Sequence, residues 1–329
     1  MKYGNHVLMA FFIVSVIGLV TLLGVNLYQR YAPLPTVKFV QAFNQLHHPA
    51  DIVFANERYW IAQIYSQQLL SKKQLSDDEV LPVGNHLQND APTDSENLAK
   101  VKALHHLRSP HFVIASDAGV YVSEGWGQYI KHFPFDKSLA TIVPLPEKLR
   151  APHGICLDKN GWLYIADSLH SRLVRTHLAT QRYEVFADND KRIAYVRQIE
   201  CRDNGIWLAN SYEKREGLNT GEGSNVLHIK DFSSGTTDVI VAFPNTNVTG
   251  LSIIDDSLLL VGRWLRHNDV AMVDLRTREI IGIVDLAKQG MGVPYGIKYY
   301  PNDSRLFISF LGGLKKDSHP GGVLEFSVD

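Results

Sequence analysis

The chain has 329 residues, of which 45% are hydrophobic and 20% are charged. This composition supports a large buried core and excludes an intrinsically disordered chain. The 33 basic and 34 acidic residues nearly cancel, which excludes the concentrated positive field that binding to nucleic acid requires.

The first predicted element is a membrane-spanning helix. Residues 7–25 carry no charge, and as a helix they would span about 28 Å, close to the ~30 Å hydrocarbon core of a bilayer. We therefore predict a short cytoplasmic tail over residues 1–6, a transmembrane anchor over 7–28, which contacts the lipid bilayer, and a linker over 29–35. A cleaved signal peptide is the alternative, but its apolar region is usually shorter, about 7–15 residues, and no Ala-x-Ala site follows here. The remainder is expected outside the cytoplasm, in a periplasm or lumen.

Residues 36–329 contain six copies of one unit. The clearest copy, residues 152–167, reads PHGICLDKNGWLYIAD: a short apolar strand, a turn rich in Asn and Gly, and a second strand. Fainter copies begin near residues 49, 110, 197, 248 and 294, an average spacing of about 49 residues, which is typical of four-stranded propeller blades. The sequence predicts an all-β fold, a six-bladed β-propeller with four antiparallel strands per blade.

The two ends of this region predict how the ring closes. The last unit supplies only three strands, and the missing outer strand is present before the first unit, at residues 36–43. Pairing of the N-terminal strand with the C-terminal strand would cover two sheet edges that otherwise invite aggregation.

The third unit resembles an NHL repeat. Its Pro152-His153-Gly154 start and its Asp167 end are similar to repeats of the six-bladed propeller superfamily that contains gluconolactonases, paraoxonases, strictosidine synthases and peptidylglycine amidating lyases. The resemblance implies the propeller over residues 36–329 and a functional site at the mouth of its channel. It implies no single reaction, because these families perform different chemistry on one scaffold.

The first residues of the six innermost strands are expected to surround that mouth, and they are Ala50, His111, His153, Arg197, Thr249 and Tyr295. Polar groups that converge among aromatic side chains are typical of a small-molecule site. We predict that His153, Arg197 and Tyr295 are catalytic. The amidating lyase resemblance supports this assignment, because that family uses a Tyr and an Arg in catalysis.

The same resemblance predicts a divalent cation. Amidating lyases use histidines at this blade position as zinc ligands, and His111 and His153 match those positions. Paraoxonases and gluconolactonases bind calcium at the channel instead. We therefore expect one zinc or calcium ion at His111 and His153, and a metal-dependent hydrolase or lyase, because a metal-bound water can act as a nucleophile near neutral pH.

A second set of residues is expected to contribute to ligand binding. The second strand of each unit runs back to the same face, so its last residues are predicted to border the funnel: Glu124, Asp167, Asn210, Arg263 and the nearby Trp126. The alternative function is a non-catalytic NHL-type module or envelope scaffold that binds a peptide, a sugar or a protein at this face.

The chain has two cysteines, Cys156 and Cys201. They are expected on facing surfaces of adjacent blades. Because packed sheets lie ~10 Å apart, too far for a disulfide, the sequence predicts two free thiols.

Overall fold

The computed structural model describes residues 33–329 except 45, 47, 77–80, 83–105, 137–138, 212–222, 265–266, 287–290 and 313–320. The chain divides into two compact units, Met1–Pro35 and Thr36–Asp329, and the second is a six-bladed β-propeller. The predicted tail and anchor lie outside the described residues. Within the part of the chain that is described, no helix is long and apolar enough to cross a membrane.

Each blade is a sheet of four antiparallel strands. Blades 1 to 3 comprise β2 to β13: Pro49–Ala55, Arg58–Gln63, Gln68–Lys72 and Leu81–Pro82; Pro110–Ala115, Gly119–Glu124, Ile130–Pro134 and Thr141–Ile142; Pro152–Leu157, Trp162–Asp167, Arg172–His177 and Tyr183–Val185. Blades 4 and 5 comprise β14 to β21: Tyr195–Arg202, Gly205–Ser211, Ser224–Ile229 and Asp238–Phe243; Asn247–Ile254, Leu258–Trp264, Asp269–Asp274 and Glu279–Asp285. Blade 6 comprises β22 to β24 and β1: Val293–Tyr300, Arg305–Leu311, Gly322–Val328 and Val37–Phe43.

The ring closes as the sequence predicts. The first strand, β1, pairs antiparallel with the last, β24, from Val37 opposite Val328 to Phe43 opposite Val323. Two backbone hydrogen bonds extend the pairing by one residue pair: the amide of Thr36 donates to the carbonyl of Asp329, and the amide of Asp329 donates to the carbonyl of Thr36. The N- and C-terminal ends of the propeller are therefore joined in one sheet.

The core lies in the six gaps between neighbouring blades, and each gap holds its own cluster of buried apolar side chains. Alternate residues of a strand point to opposite faces of its sheet. In β7, for example, Val120 and Val122 pack toward blade 1, whereas Tyr121 packs toward blade 3. This double burial explains why the inner strands are almost continuously hydrophobic.

The prediction of two free thiols is wrong. Cys156 of blade 3 and Cys201 of blade 4 form a disulfide, and their Cα atoms lie 5.7 Å apart. The expected separation of ~10 Å applies to sheets packed face to face. Both cysteines lie on innermost strands, which converge toward the propeller axis, and this brings the two Cα atoms within the usual range for a bridge.

Candidate functional site

The innermost strand of each blade carries a register shift at the predicted ring position. The pairing of the innermost strand with its neighbour shifts immediately after the Pro-like position in all six blades. Such bulges re-aim side chains locally. The shifted segments contain the predicted ring: Ala50, His111, His153, Arg197, Thr249 and Tyr295.

The two histidines of the ring are held by the same local structure. Ser109 and Ala151, each two residues before a histidine, adopt left-handed backbone conformations, with φ of 53° and 52°. Their carbonyl oxygens accept hydrogen bonds from Nδ1 of His111 at 2.7 Å and of His153 at 2.9 Å. Because a carbonyl can only accept, Nδ1 carries the proton in both neutral rings, and Nε2 is the acceptor.

The two imidazoles lie side by side at the channel mouth. Their ring centroids are 4.2 Å apart. The Nε2 atom of His153 accepts a hydrogen bond from the hydroxyl of Tyr195 at 3.1 Å, whereas Nε2 of His111 makes no hydrogen bond with a described residue. Gly125 permits this position, since a Cβ atom there would lie 2.1 Å from the ring of His111.

Arg197 contributes a positive charge to the described lining of the mouth. Its guanidinium lies 5.1 Å from the ring of Tyr195 and 5.6 Å from that of Trp264. Burial, the largest cause, and the charge of Arg197 lower the pKa of His111 to about 4, although the hydrogen bond to Ser109 acts the other way. His111 is therefore a neutral imidazole at physiological pH.

Tyr295 supplies a protonated phenol beside this charge. Burial raises the pKa of Tyr295 well above its usual value, although a hydrogen bond and the charge of Arg197 oppose the shift. The Tyr295 ring lies 5.8 Å from that of His111 and stacks on Phe112 at 5.7 Å. Its hydroxyl therefore remains a hydrogen-bond donor through the physiological range.

These side chains line a cavity of about 250 Å³. The lining residues are Ile64, Tyr65, His111, Gly125, Trp126, Ala151, His153, Leu169, Tyr195, Arg197, Trp264, Val293, Tyr295 and Leu311. Aromatic side chains form part of the rim, where Trp126 is 78% and Tyr65 54% exposed. Four predicted residues of the ring, His111, His153, Arg197 and Tyr295, meet here with Trp126.

Glu124, Asp167 and Asn210 do not line the cavity. Their side chains accept hydrogen bonds from the backbone amides of Arg108 at 3.0 Å, Arg150 at 2.6 Å and Ala194 at 2.8 Å, respectively. Each of these amides lies just before the innermost strand of the same blade. The three polar residues thus fix the turn that leads into the ring.

Arg263, also predicted to bind ligand, does not line the cavity either. It forms two hydrogen bonds with the carboxylate of Asp269, at 2.7 and 2.8 Å, and both side chains are buried. The pairing joins neighbouring strands β19 and β20, so this guanidinium contacts its own blade.

The described lining does not by itself complete a metal site. Catalytic zinc usually has three protein ligands, and calcium takes six to eight oxygens. No group of three or more His, Cys, Asp or Glu side chains that could hold a metal ion occurs among the described residues. The lining offers two imidazoles, and a guanidinium lies near one of them.

Two residues beside the channel, Tyr195 and Gln198, escaped the sequence analysis. Tyr195 precedes Val196, the Pro-like residue of blade 4, and so occupies the position that Ala151 has in blade 3. A large phenol where another blade has alanine is the sequence feature by which it could have been found. Gln198 follows Arg197, and its amide makes four hydrogen bonds with the backbone of Leu251 and Ile297, at 2.9–3.3 Å. Gln198 thereby ties blade 4 to blades 5 and 6 beside the channel.

No family model matches the chain, and no curated protein matches it in sequence. Solved structures do match it. A structure of the nidogen/laminin complex is 12% identical with a TM-score of 0.57, covering 80% of this chain and 97% of that one. A catalytically inactive His-to-Ala variant of virginiamycin B lyase from Staphylococcus aureus, with quinupristin, is 13% identical with a TM-score of 0.55, covering 89% and 99%. A structure of YCF48 bound to a D1 peptide is 11% identical with a TM-score of 0.52, covering 86% and 78%. At these identities the similarity shows the propeller fold.

Proposed function

We propose that this protein is an enzyme of the lyase or hydrolase class that acts on a small molecule at the channel-mouth cavity by acid–base catalysis. The observation that carries the proposal is the paired imidazoles. Both Nδ1 atoms are tied to backbone carbonyls, so both rings present Nε2 as an acceptor beside a guanidinium and two phenols.

The roles follow from the hydrogen bonds. Nε2 of His111, which has no hydrogen bond with a described residue, accepts a proton from the substrate or from an attacking water. Arg197 and Tyr295 donate to the substrate oxygen that gains negative charge, and such preorganised donors are often the largest contribution to catalysis. Nε2 of His153 accepts the hydrogen bond of the Tyr195 hydroxyl. His153 and Tyr195 therefore form a second pair of side chains that can carry a proton.

A divalent cation at His111 and His153 is a separate proposal about the same site. The described donors do not complete its coordination, and Arg197 would repel it. The acid–base scheme above therefore uses the side chains alone, and metal analysis distinguishes the two schemes.

A catalytic panel tests the proposal. Full-length protein is incubated with aryl esters, lactones and a cyclic depsipeptide such as quinupristin, which was chosen because one similar structure is a lyase with that compound. Mass spectrometry separates the reaction classes, since hydrolysis adds one water and elimination within a ring leaves the mass unchanged. We expect turnover that falls about 10²–10⁴-fold in His111→Ala. The control is Arg182→Met, which removes an exposed arginine remote from the cavity. Equal turnover in both variants would argue against the imidazole mechanism.

A non-catalytic binding module is the second candidate. The exposed rim residues Trp126 and Tyr65 favour it, because exposed aromatic side chains are common at interaction sites. Two similar structures are the nidogen/laminin complex and YCF48 bound to a D1 peptide. Ligand binding without turnover of any compound on the panel would support this candidate.

We also propose that residues 7–28 anchor the protein in a membrane with the propeller outside the cytoplasm. The uncharged run at residues 7–25 supports the anchor. The Cys156–Cys201 disulfide supports the compartment, because disulfides persist in oxidising environments. Protease treatment of intact and of permeabilised cells tests the orientation, and degradation of the propeller only after the inner membrane is opened would contradict it.

A further inference from the structure

A second cavity lies where the innermost strands end. These strands begin at the ring that contains His111 and His153, and their far ends border a cavity of about 190 Å³. Five innermost strands contribute to its lining, through Ile114, Cys156, Cys201, Ser252 and Lys298. The strands that carry the channel-mouth residues therefore also form this second cavity.

The Cys156–Cys201 disulfide belongs to the lining of the second cavity. Cys201 also lines a groove of about 640 Å³, which Tyr164 of blade 3 and Phe232 of blade 4 border. A groove of this size lies within the ~300–1,000 Å³ that is typical of ligand pockets. Cys201 is half-buried, whereas Cys156 is 7% exposed. The groove and the second cavity therefore give a reagent in solution two routes to the bridge, and both routes reach Cys201.

The bridge joins two strands that position part of the candidate site. Strand β10 carries His153 three residues before Cys156, and strand β14 carries Arg197 four residues before Cys201. At ~3.3 Å per residue, these separations are about 10–13 Å along each strand. At the site end, the hydroxyl of Tyr195 on β14 donates to Nε2 of His153 on β10 over 3.1 Å. At the other end, the disulfide joins the same two strands.

The disulfide helps to set the spacing between β10 and β14. The two strands belong to different sheets, so side-chain contacts and the bridge hold them together rather than a ladder of backbone hydrogen bonds. They approach closely at Gly154, where a Cβ atom would lie 2.6 Å from the amide nitrogen of Ile199 and 2.7 Å from the carbonyl carbon of Gln198. Loss of the bridge permits the strands to separate. A hydrogen bond such as that of Tyr195 weakens steeply when its geometry changes.

We propose that the Cys156–Cys201 disulfide is a thiol–disulfide exchange site for a dithiol, and that its reduction loosens the contact of Tyr195 with His153 at the channel mouth. A thiolate of the dithiol attacks Sγ of Cys201, the Cys156–Cys201 bond breaks, and Cys156 leaves as a thiolate that takes up a proton. The second thiol of the reagent then attacks the mixed disulfide, which releases Cys201 and closes the reagent's own disulfide. In sum, two electrons and two protons pass from the dithiol to the protein. This inference goes beyond the proposed function and does not depend on it.

Reduction of the native protein tests whether the bridge is accessible. Full-length protein is treated with dithiothreitol without denaturant and at urea concentrations well below the unfolding transition, and is then quenched with iodoacetamide. We expect both cysteines to be alkylated, at a rate that is proportional to the dithiol concentration and unchanged by the low urea. A bridge that is reached only through global unfolding would instead be reduced faster as urea is added.

A monothiol identifies the sulfur that is attacked. Glutathione lacks the second thiol that completes the exchange within one reagent molecule, so the mixed disulfide accumulates and can be mapped by mass spectrometry. We expect glutathione on Cys201 and a free thiol on Cys156. Reduced thioredoxin, at the same dithiol concentration as dithiothreitol, distinguishes the source of the reductant. Faster reduction by thioredoxin would assign the site to a protein dithiol, and faster reduction by dithiothreitol to a small one.

Labelling of His153 tests the effect on the channel mouth. After removal of the dithiol, diethyl pyrocarbonate should modify His153 faster in the reduced protein than in the oxidised protein, relative to the partly exposed His267. We expect an increase of about 2–10-fold, which corresponds to the net contribution of one hydrogen bond. The Cys156→Ser/Cys201→Ser variant should show the same increase without reduction, and dithiol treatment should not change it further.

A destabilised variant with an intact bridge controls for a general loss of stability. Leu324 is fully buried among the apolar residues between blades 5 and 6, so Leu324→Ala destabilises the propeller away from β10 and β14. Its ratio of His153 to His267 labelling should equal that of the oxidised wild type, at a temperature where circular dichroism shows both proteins to be folded.

Four results would overturn the inference. The exchange site fails if the native protein resists dithiol until urea unfolds it, or if glutathione is found on Cys156. The effect on the channel mouth fails if reduction leaves the labelling ratio of His153 unchanged, or if Leu324→Ala raises the ratio as much as reduction does. None of these measurements needs turnover, so they are independent of the catalytic panel.

Discussion

The hydroxyl of Tyr195 donates a hydrogen bond to Nε2 of His153 over 3.1 Å. This contact joins blade 4 to blade 3 at the channel mouth and occupies the acceptor atom of one imidazole, while the acceptor atom of His111 makes no hydrogen bond with a described residue. The two histidines therefore share a ring position and a tautomer but differ in what their Nε2 atoms contact.

Tyr195→Phe is expected to make His153 more reactive. Removing the hydroxyl leaves the lone pair of Nε2 without its donor, and this is the atom that attacks acylating reagents. Diethyl pyrocarbonate labelling, mapped by mass spectrometry, should modify His153 faster in the variant than in the wild type. The partly exposed His267 serves as the internal reference. An unchanged ratio of His153 to His267 labelling would show that the hydrogen bond does not protect the ring.

His111 is expected to make the fold sensitive to acid. Its pKa is about 4 in the folded protein against 6.5 for the free side chain, so between these values the unfolded chain binds a proton that the folded protein does not. The free energy of unfolding therefore falls as the pH drops from about 6.5 to about 4, by about 3 kcal/mol from this residue. Urea unfolding of wild type and His111→Gln at both pH values measures the difference.

Asp51 provides a control, because its contribution to the free energy of unfolding changes with pH in the opposite direction to that of His111. Burial raises its pKa from 3.8 to about 6, although Lys298 opposes the shift. The folded protein then holds a proton that the unfolded chain has lost, so this residue's contribution to stability falls as the pH rises from about 3.8 to about 6. Asp51→Asn should steepen the loss of stability in acid, whereas His111→Gln should reduce it. Identical pH profiles for the two variants would contradict both assignments.

The Cys156–Cys201 disulfide is expected to contribute substantially to stability. It closes a loop with a sequence separation of 45 residues, for which the chain-entropy account gives about 4 kcal/mol. The Cys156→Ala/Cys201→Ala double variant should unfold at lower urea concentration than the oxidised wild type. Intact-mass measurement provides the chemical control, because reduction of the unfolded wild type should add two hydrogens. Absence of that mass change would contradict the bridge.

Asp167→Ala is expected to affect stability more than ligand binding. Its buried carboxylate accepts hydrogen bonds from the amide of Arg150, from Nδ1 of His170 and from Nε of Arg172, at 2.6–2.7 Å. Removing one partner of a buried pair typically costs about 3–5 kcal/mol. At temperatures where the variant is folded, its kcat/KM for the best compound of the panel should stay close to that of the wild type. A selective loss of kcat/KM without loss of stability would place Asp167 in the ligand site after all.

The fold was predictable because its signals repeat. Each unit carries a turn such as Asp158-Lys159-Asn160-Gly161 between two apolar strands, and six weak copies reinforce one another. Propeller closure was predictable because strand β1 stands alone before the first complete unit. The positions of His111 and His153 were predictable for the same reason, since both follow a proline at the same place in the repeat.

Other features depend on geometry that the repeat does not encode. The separation of Cys156 and Cys201 depends on how far the inner strands converge. The contacts of Glu124, Asp167 and Asn210 depend on the direction of each side chain at a strand end, where facing the funnel and bracing the adjoining turn are equally compatible with the sequence. Gln198 escaped notice because one buried amide in one blade leaves no periodic signal.

The central claim is that side chains at the channel mouth, with His111 as base, suffice for catalysis. The most direct test is kcat/KM for the best compound of the panel after treatment with a chelator, in wild type and His111→Ala, together with the metal content of the purified protein. The acid–base scheme predicts that chelation leaves the wild type active and that His111→Ala loses about 10²–10⁴-fold. Loss of wild-type activity on chelation, restored by zinc or calcium, would contradict it and place a cation at His111 and His153.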